Sequence, residues 1–285
     1  MIDKLVLLSP LIRRPFVEIA MEEGEPKWGY ERCVDLRDTA LKLPVKLFYR
    51  GRHTQIHKLE FIGVARLGQP RTREIAELIF PILERVRIYR IDLCVDLLGF
   101  SPWFFVTNVR LPRQQNFQLY RSRGAVSFYL QFSAQRKILF YDRLRLLRKD
   151  KHPLAALFNA SDELTRIEVQ MMGAAVPFKR FLDIGRYAEI EPLKHLQITR
   201  LRIDPGENTP VKVLAAYGLR WLVHKYGQQA ASKIFPPSAW AALQAVYLER
   251  MEHSDLPPLG KLMRKGIMRW LIGQIHFPRA REGEK

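Results

Sequence analysis

The stretch Tyr89-Arg90-Ile91-Asp92-Leu93-Cys94-Val95-Asp96-Leu97 constrains the fold of this chain more than any other. Apolar and polar residues alternate along it, the period of a strand with one packed and one polar face. Ile91, Leu93, Val95 and Leu97 are expected toward a core, while Arg90, Asp92, Cys94 and Asp96 share the opposite side. Such a strand belongs in a sheet that keeps one face open, as antiparallel sheets commonly do.

Other segments repeat the theme. Residues 45–49, 58–62, 126–132, 137–141 and 165–171 read as strands. Thr72 is the expected N-cap of a helix through Ile75, Leu78, Ile79, Ile82 and Val86, with Pro81 as a kink. The acidic patch 18–25, with Gly24 and Pro26, reads as a loop. Asn208-Thr209-Pro210 is a helix-start signature. Helical apolar spacing follows it and recurs through 239–251 and 262–275. The expected architecture is α+β. Residues 1–204 form an antiparallel-rich β-sheet with helices on one face and a charged open face. A helical C-terminal region, 205–285, follows, frayed over 279–285.

Composition narrows the function classes. Among 285 residues, Lys plus Arg is 47 against 29 for Asp plus Glu, a net charge of +18, and hydrophobic residues are 47%. That content suits a globular chain, and that charge suits a polyanion partner, most commonly nucleic acid. Two cysteines, Cys33 and Cys94, exclude a disulfide framework and a four-cysteine zinc site. Nothing approaches the ~18 consecutive apolar residues of a membrane span. The start, Met1-Ile2-Asp3-Lys4 with a short apolar run from Leu5 to Leu8, does not resemble a secretory signal, so the expected compartment is the cytoplasm.

The charge is concentrated. Between Arg110 and Lys151 lie Arg113, Arg121, Arg123, Arg136, Lys137, Arg143, Arg145, Arg148 and Lys149, with only Asp142 and Asp150 as acids. Tyr120, Phe128, Tyr129, Phe132, Phe140 and Tyr141 are interleaved. Cations that track phosphates and rings that stack bases make a single-strand groove. The alternative is a solvated basic face over an aromatic core.

Glu60, Arg90, Asp92, Tyr141, Arg166 and Glu168 each lie opposite their strand's apolar residues. Carboxylates from neighbouring strands can hold a hard divalent cation. Asp92 and Asp96 are four residues apart, about 13 Å along a strand, so Asp92 with Glu168 is the preferred pair. Asp96 is expected to partner an arginine or cap the strand end, and Glu60 is an additional acid. The alternative is that these acids only pair with Arg90 and Arg166. A tyrosine such as Tyr141 beside metal ligands and arginines can attack a phosphodiester and keep the 5′ phosphate. His53 and His57 are expected at the surface. No Gly-Lys-Ser or Gly-Lys-Thr loop suggests a helicase motor.

Four blocks, in order, resemble the rolling-circle replication initiators of the Rep_trans type, a group of plasmid initiators, relaxases and phage replication initiation factors. They are Lys58-Leu59-Glu60-Phe61; Arg90-Ile91-Asp92-Leu93-Cys94-Val95-Asp96; Ile138-Leu139-Phe140-Tyr141-Asp142-Arg143; and Arg166-Ile167-Glu168-Val169. There are two departures. Residues 129–136 lack the glycine and the in-register arginine of the family's stretch before its nucleophile, and Arg143 replaces a lysine.

The resemblance implies a DNA endonuclease and strand transferase that nicks and rejoins origin DNA through a 5′-phosphotyrosine, using Mg²⁺ or Mn²⁺. It implies Tyr141 as nucleophile, Asp92 and Glu168 as metal ligands, and Arg90 and Arg166 as phosphate or carboxylate partners. Arg121, Arg123, Arg136, Lys137 and Arg143 are the expected DNA contacts from the basic segment. Expected partners are origin DNA, single-stranded or an extruded hairpin, then a host helicase and a second copy of the chain. The competing readings are a catalytically inactive, sequence-specific DNA-binding protein on the same scaffold, and a structural or RNA-binding protein. The basic helical region (Lys225, Lys261, Arg264, Lys265, Arg269) would bind duplex DNA, dimerise or dock a helicase, with Trp221, Trp240 and Trp270 in its core by default.

Overall fold

The computed structural model describes residues 1–110, 116–122, 125–194, 196–201, 210–226, 228–249, 251–253 and 259–274. In chain order they form β1 (Ile2–Ser9), α1 (Arg14–Glu23), β2 (Glu25–Lys27), β3 (Tyr30–Asp35), β4 (Val45–Gly51), β5 (His57–Phe61), α2 (Val64–Ile79) and β6 (Arg87–Leu98). Next come α3 (Pro102–Asn108), β7 (Val109–Arg110), β8 (Asn116–Ser122), β9 (Ala125–Ser133), β10 (Arg136–Asp142), α4 (Arg143–Lys149) and β11 (Leu164–Met172). The rest are β12 (Gln197–Leu201), α5 (Pro210–Tyr226), α6 (Gln228–Ser232), α7 (Pro237–Glu249), β13 (Met251–His253) and α8 (Leu259–Leu271).

The class is α+β, as the strand alternation predicts. Ten strands form one sheet in the order β2-β3-β4-β5-β1-β6-β11-β10-β9-β8, with antiparallel neighbours. The chain divides into two compact units, neither of them continuous. Among the described residues the first is Met1–Val95, Glu168–Pro192 and 260–274; the second is Asp96–Ile167 and Leu193–Leu259. The helical stretch after residue 205 is thus divided, α5 to α7 in the second unit and most of α8 in the first. The expected frayed tail, 279–285, lies outside the described residues.

In the first unit, strand registers sort the residues onto two faces. Leu7 opposes Leu59, Leu5 opposes Ile91, and Val45 opposes Phe61; all six are at most 3% exposed. Each fully buried aliphatic or aromatic side chain contributes roughly 1.5–3 kcal/mol of transfer free energy, so this face is the core. Lys4 opposes Asp92, and Val6 opposes both Glu60 and Arg90, so the charged residues share the other face. The strand β1 is missed by sequence reading because Leu5, Val6 and Leu7 are all buried and its register shifts between Val6 and Leu7.

Two helix expectations are corrected. The patch 18–25 is mostly the end of α1, which buries Phe16 and Ala20 and pairs Arg14 Nε with Glu18 Oε1 at 2.9 Å. Thr72 does not cap α2. That helix starts at Val64 and kinks at Gly68 (φ 66, ψ 169), two residues before Pro70. Thr72 Oγ1 instead donates to the Gly68 carbonyl at 2.6 Å. Pro81 lies beyond the helix end at Ile79. The α8 residue Trp270 donates its Nε1–H to the Val64 carbonyl at 2.8 Å, fixing the first turn of α2.

The β2–β3 hairpin turns at Trp28 (φ 49) and Gly29 (φ 78). Two positive φ values are the mark of a tight hairpin turn whose first position normally takes Asn, Asp or Gly. A tryptophan there costs on the order of 1–2 kcal/mol.

In the second unit, Phe128 and Phe140 stack at 4.3 Å and 5°, and Phe105 of α3 approaches Phe140 at 5.4 Å. Leu144 and Leu147 of α4 pack with Phe158 and Leu164. The carboxylate of Asp142 caps α4 by accepting from the Arg145 N–H at 2.9 Å. Here α5 packs against α6 and α7, and β12 pairs with β7 and β13.

Candidate active-site face

The first unit gathers Glu60, Asp92 and Glu168 on its charged face, which is not open there as expected: Asp92 and Glu168 are buried. Arg90 and Asp92 are two residues apart on β6, so they point the same way. The guanidinium grips the carboxylate from two nitrogens, Nε to Oδ1 at 2.9 Å and Nη2 to Oδ2 at 2.6 Å. Asp92 is 1% exposed, and Glu168 of the neighbouring strand β11, itself 6% exposed, lies close enough to act on its carboxyl. Burial pushes the Asp92 carboxyl above the usual range, against the opposing pull of Arg90, Glu168 and Lys4. Glu168 also accepts from Gln170 Nε2 at 2.7 Å. Glu60 is held by Lys4, Nζ to Oε1 at 2.7 Å.

The site therefore unites Glu60, Arg90, Asp92 and Glu168 with two residues the sequence reading passed over. Lys4 was hidden in the unrecognised β1. Gln170 was visible in the same alternation that marked Glu168.

The second unit separates the other candidates. Arg166 closes on Asp96 with both nitrogens, Nε to Oδ1 at 2.6 Å and Nη2 to Oδ2 at 2.7 Å, and both side chains are at most 4% exposed. Asp96 is thus the arginine's partner, as expected, and Arg166 serves a carboxylate. Burial alone would raise the Asp96 carboxyl, but the charge and hydrogen bonds of Arg166, with Arg143 beyond, hold it below its usual value.

Tyr141 lies one residue before the end of β10, half-buried, opposite Ser127. Registers place it on the sheet face of Tyr120, Tyr129 and Lys137, while Phe128 and Phe140 occupy the packed face. Tyr120 and Tyr129 meet edge to face at 5.1 Å, and Tyr120 is 51% exposed. The Arg136 guanidinium lies 5.1 Å from the Phe132 ring. Arg121 is in β8 and Arg143 opens α4, while Arg123 lies outside the described residues. Of the tryptophans, Trp270 is buried, Trp240 is half-buried and Trp221 is 56% exposed.

His57 departs from expectation. It is 7% exposed, and its Nδ1 accepts from the Arg50 N–H at 3.1 Å. Burial, reinforced by the Arg50 charge, lowers it to about 4.

Among the described residues, no group of three or more His, Cys, Asp or Glu is arranged to hold a metal ion, and no helix is long and apolar enough to cross a membrane. The arrangement offers instead a two-carboxyl site flanked by cations. Compared with known proteins, the sequence matches no family model and no curated protein.

Proposed function

We propose that this protein nicks and rejoins single-stranded origin DNA through a covalent 5′-phosphotyrosine, starting rolling-circle replication as initiators of the Rep_trans type do. The observation that carries the reading is the carboxyl pair Asp92–Glu168 beside Arg90 on the charged face of the sheet, with 1% and 6% exposure. Mg²⁺ commonly takes one or two carboxylates and completes its shell with water and substrate phosphate oxygens, so this pair fits Mg²⁺ or Mn²⁺. When bound, the ion would draw charge from the phosphoryl oxygens.

In this reading Tyr141 gives up its proton to solvent and its oxygen attacks the scissile phosphorus. The bond from phosphorus to the 3′ oxygen breaks. The 3′ oxygen leaves as a hydroxyl after taking a proton, and the 5′ phosphate stays on the tyrosine. Attack by the 3′ hydroxyl reverses the step and rejoins the strand. Lys137, Arg136, Arg143, Arg121 and Arg123 would hold the DNA backbone, a salt-sensitive contribution. Partners in this reading are origin DNA, a host helicase and a second copy of the chain, acting in the cytoplasm.

A catalytically inactive DNA-binding protein is the second reading. It is favoured by the two-nitrogen grip of Arg90 on Asp92, which already neutralises one carboxylate.

The test uses the purified chain, oligonucleotides from its own replicon labelled at either end, and Mn²⁺, on denaturing gels. A metal-dependent adduct formed by the wild type and absent in Tyr141→Phe establishes the proposal, and the label gives the polarity. Tight binding without any adduct establishes the second reading.

A further inference from the structure

On the charged face of the first unit, away from the carboxyl pair, lies a second set of groups with no assigned role. Trp28 stacks on Phe48 at 5.7 Å between ring centroids, and Tyr30 leans on Phe48 at 5.4 Å. The Lys58 ammonium sits 3.5 Å from the Phe48 centroid and 5.3 Å from that of Tyr30. Lys27 lies 4.7 Å from the Trp28 centroid. Phe48 is fully buried by this assembly, yet Trp28 stays 68% exposed.

Three observations say that this indole does more than cover Phe48. It occupies a strained position in the hairpin turn, φ 49, where Asn or Gly would be unstrained. Strained residues persist where the conformation is used. Its hairpin is braced: the Arg52 N–H donates to the Gly29 carbonyl at 2.9 Å, bringing the basic β4–β5 loop alongside. Cations beside the ring are free of ion pairs among the described residues, although Glu23, Glu25, Asp35 and Asp38 line the pocket that Trp28 and Lys27 share. Asp35 is already engaged by Arg37 at 2.7 Å and Lys46 at 3.7 Å, and Glu31 by Arg50 at 3.8 Å. Among the described residues Lys27, Arg52 and Lys58 make no ion pair.

We infer that the Trp28 hairpin is a base-stacking site for single-stranded DNA: a nucleobase lies on the exposed indole, and Lys27, Arg52 and Lys58 take the adjoining phosphates. The ligand class follows from the pairing of an exposed indole with cations held against aromatic rings rather than in ion pairs, the combination single-strand grooves use. The registers place Leu8 of β1 opposite Lys58, and Lys58 opposite Phe48 of β4. From β6, which carries Asp92, the order β6-β1-β5-β4 leads to Phe48, three strand spacings or about 14 Å away. A strand lying across this face would meet the indole a few nucleotides from the carboxyl pair. The inference rests on the nucleic-acid reading above but not on its chemistry.

The experiment measures fluorescence anisotropy of a labelled single-stranded oligonucleotide and its abasic counterpart, without metal. The proteins are the wild type, Trp28→Asn, Trp28→Phe and Lys27→Ala/Arg52→Ala. Trp28→Asn relieves the turn but uncovers Phe48, so its melting temperature and circular dichroism are recorded alongside, which separates a binding defect from misfolding. Expected is a loss of roughly tenfold or more in affinity for Trp28→Asn, with most of it recovered in Trp28→Phe. The difference between normal and abasic oligonucleotides should disappear in Trp28→Asn. The double variant should lower affinity and flatten the salt dependence. Equal affinity of wild type and Trp28→Asn for both oligonucleotides overturns the inference, whatever else docks there. Trp28-dependent binding by a protein that never forms an adduct keeps the inference and removes the nicking reading. Normal nicking with Trp28-independent binding does the reverse.

Discussion

Asp92 of β6 and Glu168 of the neighbouring strand β11 stand close enough for each to act on the other, and burial pushes the Asp92 carboxyl above its usual range. A divalent cation held between them would compete with protons for the same oxygens. Mn²⁺ is therefore expected to raise the melting temperature of the wild type, by about 2–3 kcal/mol of stability at a hundredfold excess over Kd. Binding should strengthen as pH rises, because the ion competes with protons for carboxyl groups and Asp92 is raised above its usual range. Glu168→Gln offers a donor toward Asp92 and should fold, but its melting temperature should ignore Mn²⁺. Calorimetric scans at several pH values check both statements.

The Arg166–Asp96 pair is buried on both sides. Arg166→Ala would strand the carboxylate, and urea unfolding should show a loss of about 3–5 kcal/mol. The double variant Arg166→Met/Asp96→Leu should recover most of it. Because the Asp96 carboxyl is held below its usual value, its contribution is present above pH 3.8 and lost as pH falls through the folded value.

His57 sets a second acid sensitivity. Its folded value of about 4 lies below the ordinary 6.5, so the unfolded chain takes up a proton first. Its contribution is full above pH 6.5 and declines between 6.5 and about 4. His57→Asn keeps an acceptor for the Arg50 N–H but cannot titrate. Urea midpoints between pH 7 and pH 4.5 should fall less steeply in that variant, by about 1–2 kcal/mol across the window.

Gly68 combines a positive φ with close contacts. A Cβ there would lie 2.9 Å from the Gly273 Cα and 3.4 Å from the Trp270 carbonyl oxygen. Gly68→Ala should cost about 1–3 kcal/mol. Gly185→Ala, with nothing within 4 Å, should stay within about 0.5 kcal/mol in the same thermal or urea series.

What could be read from the sequence depended on whether a residue's role was set by its own neighbours. The alternation of β6 and β11 revealed which acids lie opposite the apolar residues, because side-chain direction follows parity alone. The same parity put Tyr141 on the polar side of β10. It could not reveal β1, whose run of buried residues and register shift erase the alternation. Nor could it reveal that Thr72 bonds backward to a kinked Gly68, since Pro70 and Gly68 read equally well as a break. Whether Arg166 would choose Asp96 or a phosphate depended on burial. The Trp28 hairpin was missed because its turn carries none of the usual residues at the first position.

The first unit takes residues from the start, middle and far end of the described chain, with α8 fastened to α2 through Trp270 and Val64. During synthesis its strands would emerge early, yet Glu168 joins Asp92 only after the intervening segment has left the ribosome, and α8 emerges later still. The carboxyl site is therefore a late product of translation. Deleting residues 205–285 as though they were a detachable module would also remove the helix that closes over the first turn of α2.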